Sequence, residues 1–84
     1  SYRIIEIKTS NNTRYNIREA LGQLIDYAYW YHDCKIVELI IASPSVLSKS
    51  HQKYLERVKK AINIKVSYWE YVPNGDLIKS FNKY

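Results

Sequence analysis

Cysteine is nearly absent from this sequence. Cys34 stands alone in 84 residues, so no internal disulfide can form, and a reducing, cytoplasmic setting is expected. No apolar run approaches the roughly 20 residues that a membrane-spanning helix needs, and the first residues lack the layout of a signal peptide. With two glycines and two prolines there is no linker, and neither repeats nor low-complexity stretches occur. His32 and His51 have no cysteine or histidine partner at ligand spacing, so no zinc site is expected. Methionine is missing altogether and an extended segment starts at the second residue. Together these predict a piece of a longer protein.

What is present is apolar and basic. Hydrophobic residues make up 46%, enough for one small core, and residues 1–84 are expected to form one domain. Thirteen lysines and arginines against eight acidic residues leave a net charge of +5. That balance either steers the chain toward a polyanion such as nucleic acid or is merely a lysine-rich solvated surface. Composition does not separate the two. Nine tyrosines are many for this length, and surface or cleft lining is the only role the sequence suggests for them.

The order of elements is strand, helix, strand, helix, strand. YRIIEIKT, residues 2–9, alternates Tyr2, Ile4, Glu6 and Lys8 on one face against Arg3, Ile5, Ile7 and Thr9 on the other. A helix from Ile17 to about Tyr31 is predicted, with Asn16 as N-cap and Glu19 as its capping-box partner. Ile17, Leu21, Leu24, Ile25 and Ala28 give it an apolar stripe. KIVELIIAS, residues 35–43, reads as a strand covered on both faces. Residues 48–62 form a second amphipathic helix, capped by Ser48 or Ser50, with Tyr54, Leu55, Val58, Ala61 and Ile62 inward. IKVSYWEYV, residues 64–72, is a third strand. Asn74-Gly75 then favours a tight turn that returns LIKSF as an antiparallel edge. The expectation is an α/β fold with helices packed on a small mixed sheet.

Two short patterns carry chemistry. Glu6 and Lys8 emerge together from one strand face. A carboxylate there suits a hard divalent cation, and a neighbouring ammonium can stabilise charge on a phosphate. Isolated E-x-K pairs are also common as solvated, mutually screened charges. Gln23 and Tyr27 lie one helical turn apart beside the apolar stripe, where they either line a cleft or sit at an ordinary boundary with the tyrosine hydroxyl reaching for water.

The stretch EIKTSNNTRYNIREALGQLIDYAYW, a strand E-x-K followed by a helix with Q-x-x-x-Y, resembles the PD-(D/E)xK nuclease superfamily, in its restriction-endonuclease-like and RecB-like branches. The likeness covers residues 2–31; beyond them only the order of elements agrees. It implies the C-terminal part of a restriction-endonuclease-like core. It further implies a metal-dependent nuclease that hydrolyses DNA phosphodiester bonds in prokaryotic restriction, repair or defence. By the same resemblance Glu6 is a Mg²⁺ or Mn²⁺ ligand, Ile7 contributes its main-chain carbonyl, Lys8 assists the attacking water, and Gln23 and Tyr27 support the site. The family's first motif, an aspartate on the preceding strand, has no counterpart here. It is expected upstream of Ser1 or from a partner chain, as in a homodimer, unless the domain only binds nucleic acid. Glu19 as a migrated carboxylate is a weaker alternative. Arg14 and Arg18 at the helix entrance, and the Lys53, Arg57 and Lys60 row, either contact phosphate or are solvated. Tyr29, Trp30, Tyr31 and His32 either stack on a base or wedge against the sheet. A small α/β protein-interaction domain is the remaining alternative.

Overall fold

The computed structural model describes residues 2–30, 35–72 and 80–82, the last three by backbone only. Strand β1 (Tyr2–Ile7) leads to helix α1 (Thr13–Trp30), strand β2 (Ile36–Ser43), helix α2 (Lys49–Ile62), strand β3 (Lys65–Glu70) and strand β4 (Ser80–Asn82). The sheet runs β1-β2-β3-β4. The first three strands are parallel, and β4 returns antiparallel to β3. The expected order of elements and the antiparallel return are both present; the Asn74-Gly75 turn lies outside the described residues.

Parallel neighbours require crossovers, and right-handed crossovers that step the same way across a sheet put their helices on one face. The core follows that rule. Ile17, Ala20 and Leu24 of α1 and Leu55 of α2 pack with Leu39, Ile41, Val66 and Tyr68 from alternate positions of β2 and β3. Ile4 of β1 joins from the edge.

On the opposite face no helix lies over the sheet among the described residues. Ile40 there is 7% exposed, yet Ile7 of the edge strand is 68% exposed. The expectation that residues 35–43 are covered on both faces therefore holds only for Leu39–Ser43. One end of the opposite face carries charge. Glu38 pairs with Arg3 at 3.2 Å and Lys65 at 3.7 Å and accepts from Ser67 Oγ at 3.2 Å. Just before it, the register slips between the Tyr2–Ile36 and Arg3–Glu38 pairs, leaving Val37 out.

Helix α1 begins a turn earlier than expected, and its cap is Asn12 rather than Asn16. Asn12 Oδ1 accepts from the Tyr15 backbone N–H at 2.9 Å, as an N-cap does for the third helical residue. Glu19 is no capping-box partner; it accepts from the Tyr15 hydroxyl at 3.1 Å. The stripe also turns: Ala20 is buried at its centre, and Ile25 is 57% exposed. Helix α2 is capped as expected, by Ser48. It buries only Leu55, with Tyr54, Ala61 and Ile62 exposed. At its other end Asn63 adopts φ 55°, ψ 40° and donates its backbone N–H to Lys59 O, a left-handed stop that asparagine tolerates well.

Asn16 has a different task. It is fully buried beneath the C-terminal ends of β2 and β3. Its Nδ2 donates to Ser10 O and to Ser43 Oγ, both at 2.7 Å. Because the Ser10 carbonyl can only accept, it decides which way the amide faces. The hydroxyls beyond it form a one-way relay. Tyr68 Oη donates to Ser45 O at 2.8 Å, so Ser45 Oγ donates to Tyr68 Oη at 2.8 Å, and Ser43 Oγ donates to Ser45 Oγ at 2.7 Å. Thr13 Oγ1 adds a bond to Val46 O at 2.7 Å. Each hydroxyl has one proton and each proton is used. Replacing Asn16 by alanine strands Ser10 O and removes the head of this relay. Stability should fall by about 1–3 kcal/mol, the cost of buried polar groups left without partners, read as a lower urea midpoint at unchanged m-value.

Candidate functional site

The strand and helix patterns meet. Lys8 follows directly on β1, and its backbone N–H donates to Ala42 O at 2.8 Å. Its carbonyl accepts from Tyr71 Oη at 2.5 Å. Held at both backbone groups, Lys8 sends its side chain over the helix-bearing face, where Nζ donates to Gln23 Oε1. Glu6, one pleat earlier, and Tyr27, one turn beyond Gln23, both line a shallow groove of about 370 Å³ along the β1 edge with Tyr2, Ile4 and Ile36. The Lys8–Gln23 bond thus ties the end of β1 to α1, and Glu6 and Tyr27 line a groove beside the same two elements.

Glu6 and Lys8 are not ion-paired to each other. Lys8 turns to the helix instead, and Glu6, half-buried, forms no ion pair or side-chain hydrogen bond among the described residues. A half-buried carboxylate beside an oriented ammonium can accept a hydrogen bond or a cation while the ammonium addresses a phosphate oxygen. Tyr71 is the residue that sequence reasoning missed. It lies 63 positions from Lys8, and no local pattern links them.

The other expected site residues are dispersed. Ile7, whose expected part is its main-chain carbonyl, turns its exposed side chain to the opposite face. Arg14 and Arg18 do not border the groove that Glu6 and Tyr27 line; they face α2 across a separate cleft with Ser50, His51 and Tyr54. Gln23 is five residues from Arg18, roughly 140° around the helix. Lys53, Arg57 and Lys60 are exposed along α2, and none of them is ion-paired among the described residues; the neighbouring Lys59 pairs with Glu56 at 3.5 Å. Glu19 is engaged by Tyr15. Tyr29 and Trp30 do not wedge against the sheet: they are 78% and 75% exposed. Tyr31, His32 and Cys34 lie outside the described residues.

Whether these groups fit a resident metal can be tested on their donor set. Mg²⁺ binds through one or two carboxylates plus phosphate oxygens and water. The groove offers one carboxylate, Glu6, and no group of three histidine, cysteine, aspartate or glutamate side chains able to hold a metal occurs among the described residues. The set as it stands falls short of a dedicated metal site. No helix among the described residues is long and apolar enough to cross a membrane. Comparison with family models, with curated proteins and with solved structures finds no match to this chain.

One ionisation carries the mark of its neighbours. The Tyr15 phenol donates to the Glu19 carboxylate, and that bond together with the carboxylate's charge raises the Tyr15 pKa from its ordinary 10.0, with Arg18 opposing weakly. Losing the proton would place a phenolate against a carboxylate. In a ¹³C-tyrosine NMR titration Tyr15 should therefore ionise above 10.0, and Glu19→Gln should bring it back down.

Proposed function

We propose that this chain is the metal-dependent nuclease part of a restriction-endonuclease-like, PD-(D/E)xK-type domain that hydrolyses phosphodiester bonds in DNA. The observation that carries the reading is the bond from Lys8 to Gln23. It joins the E-x-K strand to the Q-x-x-x-Y helix, with Glu6 and Tyr27 in the adjoining groove. In this reading Lys8 stabilises charge that develops on the scissile phosphate, and Gln23 fixes the direction of its ammonium. Tyr71 and Ala42 hold the Lys8 backbone so that this direction is set before substrate arrives. Glu6 contributes one oxygen ligand toward Mg²⁺ or Mn²⁺. A second carboxylate has to come from outside the described residues, in the same polypeptide or in a partner chain such as a second copy. A DNA-cleaving role in prokaryotic restriction, repair or defence fits the same reading.

The reading makes a sharp demand on two residues. Plasmid cleavage should require Mg²⁺ or Mn²⁺, and Lys8→Met should slow it by at least about 100-fold, the usual cost of removing one charge-stabilising donor. Glu6→Gln should do the same while urea unfolding stays near wild type. Cleavage that persists in either variant would remove the proposed roles.

The lone carboxylate favours a second reading, a binding module on the same scaffold. In that case no divalent cation supports cleavage, and DNA affinity survives Glu6→Gln. The exposed Lys53, Arg57 and Lys60 row would then supply phosphate contacts, each neutralisation reducing the salt slope of log K by about one. Salt slopes unchanged in all three variants would exclude the row from the interface.

A further inference from the structure

A second concavity, of about 380 Å³, opens between α1 and α2, lined by Arg14, Ile17, Arg18, Ser50, His51 and Tyr54. Its chemistry is one-sided. Arg14 and Arg18 stand one helical turn apart, and neither has an ion pair or side-chain hydrogen bond among the described residues. The nearest carboxylate in sequence, Glu19, is occupied by Tyr15. Like charges at this spacing repel, so the pair is a standing cost that a bound anion would relieve. Across the cleft, His51 Nδ1 lies 2.9 Å from Ser48 Oγ. That contact orients the ring and leaves Nε2 without a partner among the described residues. Ile17 lies buried under the floor of the cleft, and Tyr54 offers it a half-exposed ring.

We propose that this cleft binds the phosphate monoester of a nucleotide, with Arg14 and Arg18 on the phosphate and Tyr54 against the sugar or base. Two unneutralised guanidiniums match a dianion better than the single charge of a carboxylate or a phosphodiester, and each offers a planar fork to phosphate oxygens. A bare phosphate would leave the exposed Tyr54 ring unused, whereas a nucleoside covers it. The bound phosphate belongs either to a free mononucleotide or to the 5′ end of a nucleic acid strand. The cleft lies on the flank of α1 turned away from Gln23, so it neither requires nor supports the Glu6–Lys8 reading.

Titration of the ¹⁵N-labelled protein with AMP, adenosine and inorganic phosphate, all in EDTA, tests this apart from any metal chemistry. AMP should shift the resonances of Arg14, Arg18, Ser50, His51 and Tyr54 and bind at least tenfold tighter than adenosine. The Arg14→Gln/Arg18→Gln double variant should lose at least tenfold in AMP affinity, with Lys35→Gln unchanged. Tyr54→Ala should erase the preference for AMP over inorganic phosphate. A 5′-phosphorylated oligonucleotide that outcompetes its 5′-hydroxyl twin assigns the cleft to strand ends; equal competition, with AMP binding intact, assigns it to free nucleotides. Equal affinity for AMP and adenosine, shifts confined to Lys53, Arg57 and Lys60, or full affinity in the double arginine variant would overturn the proposal.

Discussion

The hydrogen-bond relay that starts at Asn16 is the constraint on which the rest of this small domain depends. A parallel sheet leaves the C-terminal ends of its strands to be closed by loops, and here three such ends meet. Asn16 ties the β1–α1 loop at Ser10 to the end of β2 at Ser43, and Ser45 passes the connection to Tyr68 of β3. A hydrophobic cluster of similar volume would bury as much surface, but it would not specify which turn of α1 sits over which strand. The directed relay does, because Ser10 O fixes the Asn16 amide and Ser45 O fixes the Tyr68 hydroxyl at the two ends of one set of partners.

Fixing α1 in rotation has two consequences on opposite flanks. Toward the β1 edge, Gln23 comes over Lys8, and Tyr27 comes over the groove that Glu6 borders. Toward α2, Arg14 and Arg18 come to face His51 and Tyr54. A helix displaced by one residue would turn by about 100° and break both sets at once. Helix α2 is held to the core through Leu55, its one fully buried side chain, and its length is set by its ends. Ser48 caps it at the start and Asn63 stops it at the finish. Its exposed outer face is accordingly free to carry lysine and arginine.

Much of the fold was legible because its signals are local. Alternation over residues 2–9, the apolar run of 35–43 and the periodicity of 48–62 each announce an element without help from distant residues, and Ser48 declares its helix in the same way. The start of α1 was misread for a reason equally physical. Asn12 and Asn16 are both plausible caps, one helical turn apart, and sequence cannot tell a capping asparagine from one buried by partners 27 and 29 positions away. Ile25 belonged to the apolar stripe on periodicity alone, and tertiary packing turned it to solvent. At the site, E-x-K and Q-x-x-x-Y were visible as patterns; Tyr71, which steadies Lys8 from just beyond β3, was not.

The sequence by itself determined the alternation of strands and helices, the basic surface, and the placing of Glu6 and Lys8 on one side of the first strand, because these follow from periodicity and composition. Only the tertiary structure decided that Lys8 answers to Gln23 rather than to Glu6, and that Arg14 and Arg18 belong to a different cleft from the one they seemed to serve. Those outcomes depend on the rotation of α1 over the sheet. That rotation is set by hydrogen bonds among residues far apart in the chain, which no local pattern records.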